Sequence, residues 1–160
     1  MQHAERLPSL AATPHLGLAA RGPAGDAGIS KQNVETVRRG YEAWNRGDLD
    51  QIGRMIADSF EWREASEVPG AGTHRGRAEF DHYLRSFSHF WKEFEFEPIE
   101  IRDAGDRVLA VVTERGRSAY NDIEVSQLFV HVWTLREGKA VRLDGFYDEA
   151  AALEAAGLSE

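Results

Sequence analysis

The stretch LFVHVWTLREGKAVRLDGFYDE, Leu128 to Glu149, decides how this chain is read. It holds two strand-length runs joined at Glu137-Gly138, with His131 inside the first run and Asp144 inside the second. Whether those two side chains meet depends on register, because a slip of one residue reverses every face of a strand. A two- or four-residue loop centred on Glu137-Gly138 pairs His131 with Asp144. A three-residue loop, Arg136 to Gly138, pairs His131 with Leu143 and turns Asp144 to the opposite face. Glycine at the last loop position favours the second arrangement, since a left-handed residue there has no Cβ to strain. The expectation is that His131 sees Leu143, Gly145 and Tyr147, and that Asp144 does not reach it.

Working outward, the same period of two runs back through EFEFEPIEIRD, DRVLAVVTERGRSAY and IEVSQLFVHVWTL, with turns at Ala104-Gly105 and Asn121-Asp122. A two-residue turn at Asn121-Asp122 sets Val112 opposite His131, Glu114 opposite Phe129 and Gly116 opposite Gln127, all on one face. Leu128, Val130 and Val132 make the other face apolar too. A partner subunit is the expected cover for it.

Helices precede this run of strands. Ser30 caps a first one, with Val34, Val37, Tyr41 and Trp44 as its inner stripe. Gly47 stops it, and Asp48 with Gln51 forms a capping box for a short second helix that buries Leu49, Ile52 and Ile56. FEWRE reads as a strand with Phe60, Trp62 and Glu64 on one face, and SEVPGAGTHRG as a loop. A third helix over Arg77 to Lys92 carries Phe80, Tyr83, Phe87 and Trp91 on one stripe. Asp148 caps a last short helix that Gly157 ends. Helices first and antiparallel strands later give an α+β class, helices packed on one face of a curved sheet.

The bulk composition narrows function. The 160 residues carry 27 acidic against 19 basic side chains, a net charge of -8, which opposes nucleic acid and anionic membrane surfaces. There is no cysteine, so disulfides, thiol catalysis and cysteine-ligated zinc are excluded. Residues 1–29, rich in Ala, Gly and Pro, read as a disordered leader, and 30–160 as one domain. A cytoplasmic location is expected. His82 and His89 share the outer face of the third helix about 10 Å apart, too far for one metal, and no metal or cofactor is expected.

The motifs AWNRGDLD (43–50), FEWR (60–63), HRGR (74–77), DAGDRV (103–108), FVHVWTLREGK (129–139) and YDEAAALEAAGL (147–158) make the chain resemble the SnoaL-like branch of the nuclear transport factor 2-like superfamily. Ketosteroid isomerase belongs to that superfamily as well. The resemblance implies a cone, a strongly bent mixed or antiparallel sheet wrapped around three N-terminal helices with a short C-terminal helix, and often a homodimer. It implies Glu64 at the position of the isomerases' general base and His131 at that of their oxyanion-binding aspartate. The isomerases' oxyanion tyrosine falls at Gly40, one residue before Tyr41. The catalytic aspartate of the cyclases falls at Gly145, and Phe129-Val130-His131 lacks the arginine that the epoxide hydrolases need.

His131 is therefore the first candidate, a neutral imidazole able to hydrogen-bond a developing oxyanion. Glu64 and Glu114 are the candidate bases, each raised toward neutrality if buried. Tyr41, Trp44, Trp62, Tyr83, Phe87, Trp91, Gln127, Phe129, Trp133 and Tyr147 are the expected walls of a pocket of ~300–1,000 Å³. The functional expectation is a cofactor-free enzyme moving a proton on a hydrophobic small molecule with a carbonyl or hydroxyl, of isomerase, cyclase or dehydratase type. The competing expectation is a non-catalytic module that binds a hydrophobic ligand or dimerises.

Overall fold

The computed structural model describes residues 27–68 and 71–158; the expected leader lies almost wholly outside them. Four helices and six strands follow in the order α1 (Ala27–Asn45), α2 (Leu49–Met55), β1 (Ile56–Arg63), β2 (Thr73–Arg75), α3 (Gly76–Phe90), β3 (Trp91–Ala104), β4 (Arg107–Ser118), β5 (Glu124–Arg136), β6 (Lys139–Phe146) and α4 (Glu149–Ala155). The strands form one open sheet in the order β2-β1-β6-β5-β4-β3. All neighbours run antiparallel except β1 and β6, which run parallel. This is the α+β architecture expected, with a mixed sheet.

The two faces of β5 do different work, as alternation requires. Phe129, His131, Trp133 and Leu135 point to the concave side, where they pack with α1, α2 and α3 around Tyr41, Ile52, Phe60, Trp62 and Phe80. Val130 and Val132 point to the convex side and are covered by Ala152, Ala156 and Leu158 of α4 and the turn after it. That corrects one expectation. Val130 and Val132 are buried within the chain itself, so their apolar character calls for no partner subunit.

α4 holds its place through both ends. Asp148 accepts a hydrogen bond from the Ala150 amide at 3.1 Å. At the other end Leu158 N–H reaches the Leu153 carbonyl and Gly157 N–H that of Glu154, a Schellman closure that folds Leu158 onto the convex core. The Asp48 carboxylate caps α2 by accepting from the Gln51 amide at 3.0 Å, as its spacing suggested.

Other local expectations shift. Helix α1 begins at Ala27, so Ser30 is a buried residue inside it rather than its cap. Leu49 is exposed, and Met55 takes the buried place on α2 beside Ile52, while Ile56 opens β1. A short strand, β2, lies in the segment read as a loop and pairs with β1. Trp91 opens β3 instead of closing α3.

Both hairpins differ from the expected register by an even number of residues, so every face survives. Ser118 N–H bonds to the Ile123 carbonyl at 2.9 Å across a four-residue loop in place of the two-residue turn. The ladder accordingly pairs Ala110 with His131, Val112 with Phe129 and Glu114 with Gln127. At the second hairpin Arg136 pairs with Lys139 across a two-residue turn in which both Glu137 (φ 52°) and Gly138 (φ 78°) are left-handed. A bulge opposite the Thr134–Leu135 step then adds one residue on β6, and His131 comes to pair with Gly145, not with Leu143 or Asp144. Asp144 does face away from His131, and binds Arg142 through two hydrogen bonds at 2.7 and 3.0 Å.

Candidate functional site

The concave face narrows to a cavity of about 40 Å³ whose walls are almost wholly apolar. Its rings come from α1 (Tyr41, Trp44), β1 (Trp62), α3 (Phe80, Tyr83, Phe87), β3 (Phe96) and β5 (His131, Trp133). The expected volume of several hundred Å³ is not there. The aromatic side chains fill most of it themselves: Trp44 meets Phe87 edge-on at 5.1 Å, and Phe96 meets His131 at 5.0 Å.

His131 lies at the bottom, 1% exposed. Its Nδ1 is 2.7 Å from the Tyr41 hydroxyl, and the Trp133 indole Nε1 is 2.9 Å from that same oxygen. The direction of each bond follows from the donor inventory. Indole N–H can only donate, so the Tyr41 oxygen accepts from Trp133; His131 Nδ1 is the acceptor within reach of the Tyr41 proton, and we assign the tautomer in which it takes that proton. The imidazole then accepts at Nδ1 and carries its proton on Nε2. That Nε2 is buried and has no hydrogen-bond partner.

Burial alone pushes the His131 pKa down to about 3, with no charged neighbour contributing. The ring is therefore neutral at pH 7, a donor without a charge. Burial likewise raises the Tyr41 hydroxyl, keeping it protonated as the relay requires.

The carboxylates lie elsewhere. Glu64, just beyond β1, accepts from the Tyr83 hydroxyl at 3.1 Å and from the Gly72 amide at 3.1 Å, and stands 3.5 Å from Nε2 of His74. Through Tyr83 it touches a cavity wall. Glu114 is held by Gln127, whose side-chain amide donates to it at 2.9 Å and to the Tyr147 hydroxyl at 3.1 Å. Burial raises the Glu114 pKa, partly offset by the Gln127 hydrogen bond. The Tyr147 hydroxyl is pushed up to about 12 by burial and then by the charge of Glu114.

Of the residues expected to form one pocket, then, His131, Tyr41, Trp44, Trp62, Tyr83, Phe87 and Trp133 come together. Glu114, Gln127 and Tyr147 form a separate polar cluster, divided from His131 by Phe129. The Phe129 ring lies 5.0 Å from His131 and 4.6 Å from Tyr147. It lies across the bare backbone of Gly145, where a Cβ would come within 2.7 Å of it. Trp91 lines no part of the cavity; it packs over Gly116 and Phe94. Sequence reading left further wall residues off that list, Phe80 and Leu143 among them. Met55 and Phe96 close the cavity, and His74 stacks on Tyr83 at 4.3 Å while facing Glu64. The alternation of β2 against β1 could have found His74, which pairs opposite Trp62.

Among the described residues no cluster of three or more His, Asp or Glu side chains could hold a metal, and no helix is long and apolar enough to cross a membrane.

Comparison with known proteins fits this geometry. A profile of the SnoaL-like domain matches residues 37–143, more than half of the chain. The chain belongs to the SnoaL-like family. Among solved structures, an NTF2-like protein of unknown function from Burkholderia pseudomallei K96243 is 28% identical, with a TM-score of 0.68 over 79% of this chain and 96% of that one. An NTF2-like protein from Burkholderia xenovorans LB400 is 31% identical, with a TM-score of 0.64 over 79% and 95%. TerC, co-crystallised with polyporic acid, is 25% identical, with a TM-score of 0.67 over 79% and 98%. A comparison with curated protein sequences gave no match.

Proposed function

We propose that this SnoaL-like domain binds a mostly apolar small molecule through one oxygen atom and moves a proton on it, in chemistry of the isomerase, cyclase or dehydratase type. The observation that carries the reading is the partnerless Nε2 of His131, which is the N–H donor in the tautomer assigned from the chain of bonds through Trp133 and Tyr41. A buried N–H without an acceptor is a cost that a ligand oxygen removes. As negative charge grows on that oxygen, an uncharged donor in an apolar setting stabilises it strongly. Glu64 takes the proton, because the Tyr83 hydroxyl links it to the cavity wall, whereas Glu114 stands behind Phe129. The small-molecule complex of TerC supports the ligand-binding part.

A second reading rests on the cavity's small volume. A site filled by its own rings suits a binding module that opens for a ligand and does no chemistry. One experiment separates the two. The protein is incubated with cyclopent-2-enone in D₂O, and deuterium uptake beside the carbonyl is followed by mass spectrometry. Faster uptake with wild type and with Glu114→Gln, lost in Glu64→Gln and His131→Phe, supports proton transfer. Binding of the enone without added uptake assigns the domain to the binding class.

The homodimer remains a proposal on other ground than Val130 and Val132. Phe90, Tyr120 and Ile123 are exposed together at one end of the sheet, a patch that a second copy would cover. Light scattering at the monomer mass overturns it.

A further inference from the structure

We propose that the groove between α2 and α3 is a second binding site, which takes a small phosphate monoester whose organic part carries hydroxyl groups, as a phosphorylated sugar does. It shares no side chain with the apolar cavity, and it stands or falls independently of the function proposed above.

The two helices present different residues to different spaces. Ile52 and Met55 of α2, with Phe80, Tyr83 and Phe87 of α3, line the cavity. Other positions of the same helices line a groove of about 430 Å³, far larger than the cavity and of a size that suits a small organic molecule. Four cations reach it: Arg54 from α2, Arg77 and Arg85 from α3, and Lys139 from the start of β6. Only two carboxylates, Asp50 and Asp81, stand against them among its described residues. In a chain with a net charge of -8, this local excess of positive charge runs against the composition.

Ion pairing does not account for the cluster. Elsewhere in the chain Arg115 and Arg142 each hold a carboxylate at 2.7 Å. Among the described residues, Arg54 and Lys139 pair with none. Arg54 is instead held by Gln51, whose side-chain oxygen accepts from its Nε at 3.4 Å and its Nη2 at 3.1 Å. Arg77 is anchored as well, donating from Nη2 to the Ile56 carbonyl at 3.0 Å and from Nε to Asp58 at 3.3 Å. Its Nη1 lies over the bare backbone of Gly53, where a Cβ would come within 3.1 Å of it. Each guanidinium is thus fixed through Nε and Nη2, and Nη1 stands outside those bonds. A fork already held in place loses little freedom when it closes on an anion.

The number of donors selects the anion. A phosphate group with three terminal oxygens matches two forks and an ammonium better than a carboxylate with two oxygens does. Asp50 and Asp81 select what the phosphate is attached to. They repel a bare dianion, and they accept from the hydroxyl groups that a sugar brings. Leu49 and Leu84 on the same walls offer its carbon skeleton apolar contact.

The test titrates the whole protein with ribose 5-phosphate, inorganic phosphate, ribose and gluconate, following backbone amides in ¹⁵N–¹H spectra. Ribose 5-phosphate is expected to shift the amides of Gly53, Arg54, Arg77 and Lys139 together, with a Kd below about 1 mM. The other three probes are expected to bind about tenfold more weakly or worse. Arg54→Ala and Lys139→Ala alter exposed side chains and should fold, each weakening ribose 5-phosphate about fivefold or more. Gly53→Ala, whose Cβ displaces the Arg77 guanidinium, is expected to weaken it about threefold or more. Inorganic phosphate binding as tightly as ribose 5-phosphate overturns the hydroxyl-bearing ligand class. Gluconate binding as tightly overturns the choice of phosphate. Undiminished affinity in both Arg54→Ala and Lys139→Ala places the ligand elsewhere and sinks the site. So does the absence of any shift at these amides, an outcome that leaves the cavity and its enone assay untouched.

Discussion

The Tyr41 hydroxyl sits 2.7 Å from Nδ1 of His131 and accepts from Trp133 as well, so Nε2 is the end of the imidazole left without a partner. The residues come from α1 and β5, ninety positions apart in the chain, and meet only because the sheet curls over the helix. Their arrangement has consequences for stability, titration and binding that can each be measured.

Replacing Tyr41 by Phe keeps the ring contacts and removes one oxygen. It leaves Trp133 Nε1 and His131 Nδ1 both buried without partners. A buried group stripped of its hydrogen bond costs about 1–3 kcal/mol, so the variant is expected to lose roughly 2–5 kcal/mol in denaturant unfolding. The m-value should stay unchanged. The second signature is spectroscopic: without Tyr41 as donor, nothing holds the proton on Nε2, and ¹⁵N spectra of the ring should show the two tautomers mixing.

The low His131 pKa makes stability depend on acid in a defined direction. The group's folded pKa, about 3, lies below the ordinary value of 6.5, so between those values the unfolded chain binds the extra proton. The stabilising contribution is complete above about pH 6.5 and is lost as pH falls toward 3, a change on the order of 5 kcal/mol. Glu114 works in the opposite sense. Its folded pKa is raised, so it favours the fold below the ordinary carboxylate range and loses that contribution as pH rises through its own value. Acid unfolding of His131→Phe should therefore show a shallower slope between pH 6.5 and 3 than wild type. Glu114→Gln should show a steeper one.

Much of this is legible in the sequence, and the differences have a common physical origin. Alternation along β5 placed His131, Phe129 and Trp133 on one face because the period of a strand is set by the backbone. Turn length was harder. Asn121-Asp122 suits a two-residue turn, yet Asn121 accepts from the Ile123 amide and Ser118 from the Tyr120 amide, and these side-chain bonds hold a longer loop. At Glu137-Gly138 the turn is short and the bulge comes later, a feature that no residue between Arg136 and Arg142 announces. The volume of the cavity was the least accessible. A count of rings gives the area of its walls and leaves open whether they collapse on one another.

One residue of α1 bonds the open edge of β3, whose other edge is paired with β4. Asn45 donates to the Phe96 carbonyl at 2.8 Å and accepts from the Phe96 amide at 3.0 Å, standing in for a neighbouring strand. Phe96 in turn forms a cavity wall. Asn45→Ala leaves two partly buried backbone groups unmatched, and a loss of about 2–4 kcal/mol is expected. Hydrogen exchange should localise it. The Phe96 amide is expected to exchange faster by two orders of magnitude or more, while amides in β5 follow only the global change. Equal loosening of both strands would show that Asn45 supports the core in general and not this edge.

Gly40 gives the most direct control over the cavity without touching its chemistry. A Cβ at this position would fall 2.5 Å from the Met55 sulfur and 2.6 Å from its methyl carbon. Both residues line the cavity, and Met55 is unbranched and free to move aside. Gly40→Ala therefore drives the thioether into the remaining space. Two effects on stability compete. Alanine in a helix interior gains about 1 kcal/mol over glycine, whereas overpacking a core costs about 1–3 kcal/mol. A net loss of no more than about 2 kcal/mol is expected, small enough for the fold to persist. Binding should respond far more strongly, because the cavity has so little volume to give. Titration with cyclopent-2-enone is expected to show at least tenfold weaker affinity, with the Tyr41–His131 tautomer signature intact. Undiminished affinity in a folded Gly40→Ala protein would mean that the ligand lies elsewhere than between α1 and β5.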